Sequence, residues 1–227
     1  MAITVQPVTE NFAAEIGDID LTKPLAPADF AAVKAAFAKY AVLIFPGQAL
    51  SQDQHLEFAR YFGPLETTIA VLRKDTQLRV PKEFADVSNL DHNNQVWGKD
   101  SRQRMFQLGN RLWHTDSSFK RLPALASLLY ARAIPPIGGH TEFADERAAY
   151  DALPEAMKRR LDSLVAEHSI FNSRVHQFQR RGARRHAAGA ASARSHHPGI
   201  GAQIALPCVP RGAHFRLRRG RRPRADR

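Results

Sequence analysis

His114 and Asp116 are the two residues of this sequence whose types and spacing point most directly to chemistry. They lie in the run Asn110-Arg111-Leu112-Trp113-His114-Thr115-Asp116-Ser117-Ser118-Phe119. On an extended strand, residues i and i+2 share a face. The spacing therefore predicts an imidazole and a carboxylate side by side, with Thr115 turned away. An imidazole nitrogen and a carboxylate oxygen together suit a first-row divalent metal such as Fe(II). A second histidine from elsewhere would complete a facial triad with open coordination positions. A His-x-Asp triplet is most often a pair of solvated surface residues, so its meaning depends on the elements that position it.

Those elements begin with Ile3 and Val5, which alternate as in a strand. Phe30, Val33, Phe37 and Tyr40 fall at three- and four-residue steps, predicting a helix over 29–40 with one apolar stripe. Ala41-Val42-Leu43-Ile44-Phe45 reads as a buried strand ended by the turn residues Pro46-Gly47. Ser51 followed by Gln54 has the form of a capping box. The helix it opens carries Leu56, Ala59 and Phe62 at three-residue steps and stops at Gly63-Pro64. Residues 65–110 are polar and irregular, a length given to lids or binding segments, or else a plain disordered excursion. Leu125 to Ile134 reads as a strand closed by Pro135-Pro136 and Gly138-Gly139, and Thr141 starts another. Helices are expected over 147–153 and 154–168. Pro154 would sit in the first turn of the second, and Met157, Leu161, Leu164 and Val165 on its apolar face.

Several ordered pieces of the sequence resemble the taurine and 2,4-dichlorophenoxyacetate dioxygenases, closer to the second branch. They are Phe45-Pro46-Gly47-Gln48, Ser51-Gln52-Asp53-Gln54, Phe58 to Leu65, Asn110 to Phe119, Pro135 to Phe143, Arg147 to Pro154 and Asn172-Ser173-Arg174. The resemblance covers most of residues 1–174. It implies a mixed α/β fold, a double-stranded β-helix (jelly roll) with flanking helices, whose C-terminal part is incomplete here. It implies Fe(II) as cofactor and 2-oxoglutarate and dioxygen as co-substrates. His114 and Asp116 match two iron ligands, Thr141 a residue that hydrogen-bonds a 2-oxoglutarate carboxylate, and Asn110 a position near the primary substrate. The neighbouring His140 points to the opposite strand face from Thr141 and reads as structural or exposed. The implied reaction couples oxidative decarboxylation of 2-oxoglutarate, giving succinate and CO2, to hydroxylation of a small carboxylate substrate. An aryloxyacetate hydroxylated beside its ether oxygen falls apart to a phenol and glyoxylate.

The family pattern also requires a downstream histidine and, shortly after it, an arginine for the other 2-oxoglutarate carboxylate, a contact suited to the guanidinium fork. Neither can be placed. His176, His186, His196, His197 and His214 lie outside the family's context. On this reading the chain is truncated and inactive.

Charge divides the chain at the same place. The formal net charge is +11, yet residues 175–227 hold thirteen Arg, no Lys and one acid, Asp226, so 13 − 1 = +12 and residues 1–174 carry 11 − 12 = −1. The expected organisation is a dioxygenase segment, 1–174, joined to an irregular arginine-rich tail, 175–227. Back-translated with synonymous codons and read one nucleotide later, the tail yields segments such as SGRKSLYL and SHAG that resemble the family's normal continuation. A shifted reading frame near Arg174 accounts for the tail without a selected function. The alternative is a non-specific nucleic-acid binder using the basic tail, which would be strongly salt-dependent. Phe178 and Phe215 are the tail's only aromatics, and it has no zinc-knuckle or RGG pattern, which argues against that role.

The whole chain is 44% hydrophobic and 24% charged, ordinary for a globular protein. No apolar run approaches the roughly 18–20 residues of a membrane span, and residues 1–5 lack the pattern of a signal peptide. The single cysteine, Cys208, excludes an internal disulfide framework. A cytoplasmic location is the expectation, with no membrane partner and no prediction of oligomeric state.

Overall fold

The computed structural model describes residues 3–72, 77–101, 104, 110, 113–162, 164–166, 168 and 218–219. Its contacts divide the chain into two units. Unit 1 comprises Met1–Glu66, Leu125–Asp145 and Pro198–Gly201; unit 2 comprises Thr67–Ala124, Glu146–His197 and Ala202–Arg227.

Unit 1 is built on a three-stranded sheet of order β1-β2-β3, with β1 Thr4–Pro7, β2 Ala14–Gly17 and β3 Leu43–Ile44. β1 and β2 are antiparallel, pairing Val5 with Ile16. β3 lies parallel to β2, pairing Ala14 with Leu43. Parallel neighbours need a long crossover, and helix α1, Pro27–Tyr40, supplies it. Strand alternation turns Ala14 and Ile16 inward and Glu15 outward. They pack on Ala36 and Tyr40 of α1. A second cluster joins Leu21, Val33, Leu50 and Phe58. Fully burying a side chain such as Val33 stabilises by roughly 1.5–3 kcal/mol.

The helix over 29–40 forms, but its buried residues are Val33, Ala36 and Tyr40. Phe30 and Phe37 are half-buried. Both meet Phe62 edge-on, at centroid distances of 5.4 and 6.0 Å. Chain reversal after α1 is abrupt. Ala41 takes φ 62°, and the Val42 amide donates to the Tyr40 carbonyl at 2.7 Å. This three-residue turn at positive φ is a strained form. The strand that follows is only two residues long, and Ile44 is exposed, so the run 41–45 is not the fully buried strand its composition suggests. With one neighbour on the sheet and one face to solvent, apolar composition overstates its burial.

Helix α2, Gln52–Arg60, has the expected capping box. The Ser51 hydroxyl accepts the Gln54 amide at 3.2 Å, and the Gln54 side chain accepts the Ser51 amide at 2.9 Å. Its buried residue is Phe58 rather than Leu56 or Ala59, because Phe58 meets Phe45 and Phe62. Residues 19–25 run without regular pairing, and three side chains satisfy their backbone. Gln48 accepts the Leu21 amide at 2.9 Å and donates to the Ile19 carbonyl at 3.1 Å. Gln54 donates to the Thr22 carbonyl at 3.0 Å. The Tyr61 hydroxyl accepts the Leu25 amide at 2.9 Å. Pairing buried or half-buried backbone groups in this way is what such a segment requires.

The jelly-roll expectation is not met. The described residues form an open three-stranded sheet with flanking helices, not a closed double-stranded β-helix. Leu125–Ile134 and the segment from Thr141 are not strands. Their apolar composition suits a strand, but a strand is defined by ladder partners, and none pairs with them among the described residues. Leu129 and Ile134 are 66% and 79% exposed. Tyr130 instead anchors its segment through its hydroxyl, which accepts the Leu50 amide at 3.1 Å.

In unit 2, the described residues 77–101 of the long polar stretch are more ordered than their composition suggests. Arg79 grips Asp86 with two parallel bonds of 2.8 and 2.7 Å and reaches Asn94 at 3.3 Å. Leu90 bridges Val96. Between them the Asp91 carboxylate accepts the amides of Asn93 and Gln95, and Asn94 takes φ 60°. This is a three-residue hairpin loop ending in a left-handed residue. Helix α3 is Glu146–Asp151 and α4 is Glu155–Asp162. The second expected helix is therefore shorter than 154–168. Leu164–Val165 forms β4, paired with Arg218–Arg219 as β5, and so leaves the apolar face assigned to it. Met157 is exposed. The rest of the tail, 175–217 and 220–227, lies outside the described residues, as do Arg111, Leu112 and Asn172-Ser173-Arg174.

Candidate metal-binding site

His114 and Asp116 belong to a segment, 113–116, without ladder pairing, so the extended strand expected there is absent. Their side chains nonetheless turn to the same side. His114 Nε2 lies 3.5 Å from Asp116 Oδ1, with the side chains 44% and 60% exposed. That separation exceeds the roughly 2.7–2.9 Å of a charge-assisted hydrogen bond. Two donors bound at a right angle to a divalent ion, with bonds of about 2.1 Å, stand roughly 3.0 Å apart. A small side-chain adjustment therefore brings both onto one ion. The donor chemistry, one imidazole and one carboxylate, fits two positions of a ferrous centre. Among the described residues no group of three His, Cys, Asp or Glu could hold a metal.

A tight turn follows the pair directly. Ser117 takes φ 59°, and the Lys120 amide donates to the Ser117 carbonyl at 2.9 Å. The chain thus turns immediately after Asp116. From the other end of unit 2, His168 Nδ1 lies 3.1 Å from Ser118 Oγ. Burial pushes the His168 imidazole below its ordinary pKa. Trp113, directly before the pair, is 51% exposed.

Thr141 is an exposed residue of unit 1 and Asn110 an exposed residue of unit 2. Thr141 follows a loop, Ile134 to His140, that lines a cavity of about 410 Å³. Gly138 and Gly139 both take positive φ there, and a Cβ on Gly139 would stand 2.9 Å from Pro135 Cγ. Only glycine suits that position. His140 is exposed, one of the two readings its position suggested.

Sequence reasoning missed Arg79, Asp86, His55 and His168. The Asp91-His92-Asn93-Asn94 turn was a readable hairpin signal, and it would have placed Arg79 and Asp86 in an ordered unit. His55 sits with its ring 5.8 Å from that of Tyr130. Burial first, then the Arg132 charge, lowers its pKa, against a hydrogen bond to the Leu128 backbone. No local spacing marks either histidine, since each is defined by contacts distant in sequence.

Comparison with known proteins agrees with the motifs. Residues 4–222 match the family described as "Taurine catabolism dioxygenase TauD, TfdA family". The chain is 41% identical over 174 residues to the alpha-ketoglutarate-dependent 2,4-dichlorophenoxyacetate dioxygenase of Cupriavidus pinatubonensis, covering 77% of this chain and 61% of that protein. It is 35% identical over 175 residues to the (S)-phenoxypropionate/alpha-ketoglutarate-dioxygenase of Sphingobium herbicidovorans, covering 76% and 55%. The chain thus spans about three-fifths of the length of these curated relatives. Among solved structures it is similar to AAD-2 in complex with Mn(II) and N-oxalylglycine, with TM-score 0.75 and 36% identity, covering 91% of this chain and 72% of that one. On the extent of the family match, this chain belongs to the Fe(II)- and 2-oxoglutarate-dependent dioxygenases of the taurine and 2,4-dichlorophenoxyacetate family.

Proposed function

We propose that this chain carries the metal-binding half of a dioxygenase that acts on small aryloxyalkanoic acids, with its own turnover lost. The observation that carries the reading is the convergence of His114 Nε2 and Asp116 Oδ1 to 3.5 Å beside a tight turn. Two relatives named for phenoxy-acid substrates support the substrate class. His114 and Asp116 would hold Fe(II), which supplies oxidation of 2-oxoglutarate and substrate by dioxygen. Thr141 would hydrogen-bond a 2-oxoglutarate carboxylate, and Asn110 would face the aryloxy acid. Loss of turnover is supported by residues 175–227, where no histidine and arginine can be placed in the family's pattern. Two protein donors hold a metal less firmly than three and leave the 2-oxo acid's distal carboxylate without its guanidinium partner.

The test separates binding from turnover. Mn(II) is titrated into the chain while the His114 ring signals are followed by NMR. Selective paramagnetic broadening is expected, and Asp116→Ala should remove it. With Fe(II), 2-oxoglutarate and 2,4-dichlorophenoxyacetate, succinate should stay at the level of a protein-free control. Restoring the shifted frame after Arg174 should produce both succinate and the phenol. Broadening at His114 that survives Asp116→Ala would overturn the reading of the pair.

A further inference from the structure

We propose that His168 is a positioning residue for the His114–Asp116 pair, acting through Ser118; the inference rests on the pair being the metal-binding site. His168 Nδ1 lies 3.1 Å from Ser118 Oγ, across 50 positions of sequence. Ser118 is the second residue after Asp116, within the turn that Ser117 opens at φ 59° and the Lys120 amide closes. A turn at positive φ in a non-glycine residue needs outside support. His168 provides it from a well-seated segment. Ala166, two residues before it, is fully buried, and Leu164–Val165 is paired with Arg218–Arg219.

The other ring nitrogen defines the direction of the bond. His168 Nε2 is enclosed and has no hydrogen-bond partner among the described residues. A buried N–H donor without a partner is rarer than an under-used acceptor. The proton therefore belongs on Nδ1, which donates to Ser118 Oγ and leaves Nε2 as the bare acceptor. In this arrangement the serine oxygen is pinned and the backbone that leads out of Asp116 is held in one conformation. Groups beyond the ligands that orient them typically change metal affinity 10–100-fold when removed.

Two measurements test the proposal, one of them free of metal. In 15N NMR of the metal-free chain, His168 should show the Nδ1–H tautomer, and Ser118→Ala should shift it toward a mixture. In the Mn(II) titration, His168→Ala and Ser118→Ala should each weaken the apparent affinity at His114 about tenfold. The double variant should be no weaker than either single one, since both remove the same bond. His168→Asn, whose amide nitrogen stands near the Nδ1 position, should restore affinity. An Nε2–H tautomer, unchanged Mn(II) affinity in both single variants, or additive losses would overturn the proposal. If His168→Ala unfolds the chain, Ser118→Ala decides. If His114→Ala leaves Mn(II) binding unchanged, the metal-binding reading falls and this proposal with it; if His114→Ala abolishes binding while His168→Ala and Ser118→Ala do not alter it, only this proposal falls.

Discussion

The hydroxyl of Tyr130 donates to the backbone carbonyl of Gln48 at 3.2 Å, across 82 positions of sequence. The same oxygen accepts the Leu50 amide at 3.1 Å. One phenol thus fastens the 125–134 segment to the loop that enters α2. Gln48 itself holds the backbone of residues 19–21. Gln48, from the Phe45-Pro46-Gly47-Gln48 motif, serves here as a hydrogen-bonded staple of unit 1.

Tyr130→Phe keeps the ring and removes both bonds. Each ordinary hydrogen bond contributes about 0.5–1.5 kcal/mol, and leaving half-buried partners unpaired adds to the loss. Urea unfolding should show a destabilisation of about 1–3 kcal/mol. A midpoint equal to that of the unmodified chain would show that the contact is not formed in solution.

Ser51→Ala removes the oxygen that caps α2. Caps of this kind contribute about 0.5–2 kcal/mol. Gln54→Ala should cost more than a cap reciprocal alone, because Gln54 also donates to the Thr22 carbonyl. The two losses should be less than additive when combined, since they share the capping box. Thermal or urea unfolding of the two single variants and the double variant measures this directly.

Acidification should weaken the chain through His55. Burial and the Arg132 charge hold its folded-state pKa below the ordinary imidazole value of 6.5. The unfolded chain therefore takes up the proton more readily, and stability falls as pH drops below that value. His55→Gln should flatten the dependence between neutral pH and about pH 5, where an unperturbed imidazole titrates. His168, lowered by burial, contributes in the same direction, so a residual slope should remain. An unchanged slope in His55→Gln would assign the effect elsewhere.

The coding DNA of Val175 to Arg227 should yield, one nucleotide later, a string containing SGRKSLYL and SHAG or close variants of them. Sequencing the gene through Arg174 decides it. Codons incompatible with such a string would make the thirteen arginines of the tail a feature of the protein in its own right.

What the linear sequence determined is local or cumulative. The helix over 29–40, the capping box at Ser51 and Gln54, and the family itself were legible because helix periodicity, cap chemistry and ordered motifs are properties of neighbouring residues. The proximity of His114 and Asp116 was also legible from their spacing of two, although the strand expected to align them is absent. Tertiary structure decided the rest. Leu125–Ile134 has strand composition but no ladder, because a strand exists only where another backbone offers its amides and carbonyls. Phe58, not Leu56 or Ala59, is buried in α2, because Phe45 and Phe62 stand opposite it. His168 and Ser118 meet across 50 positions, and His55 and Tyr130 across 130 − 55 = 75; no periodicity encodes such meetings, since only the folded path of the backbone brings them within reach.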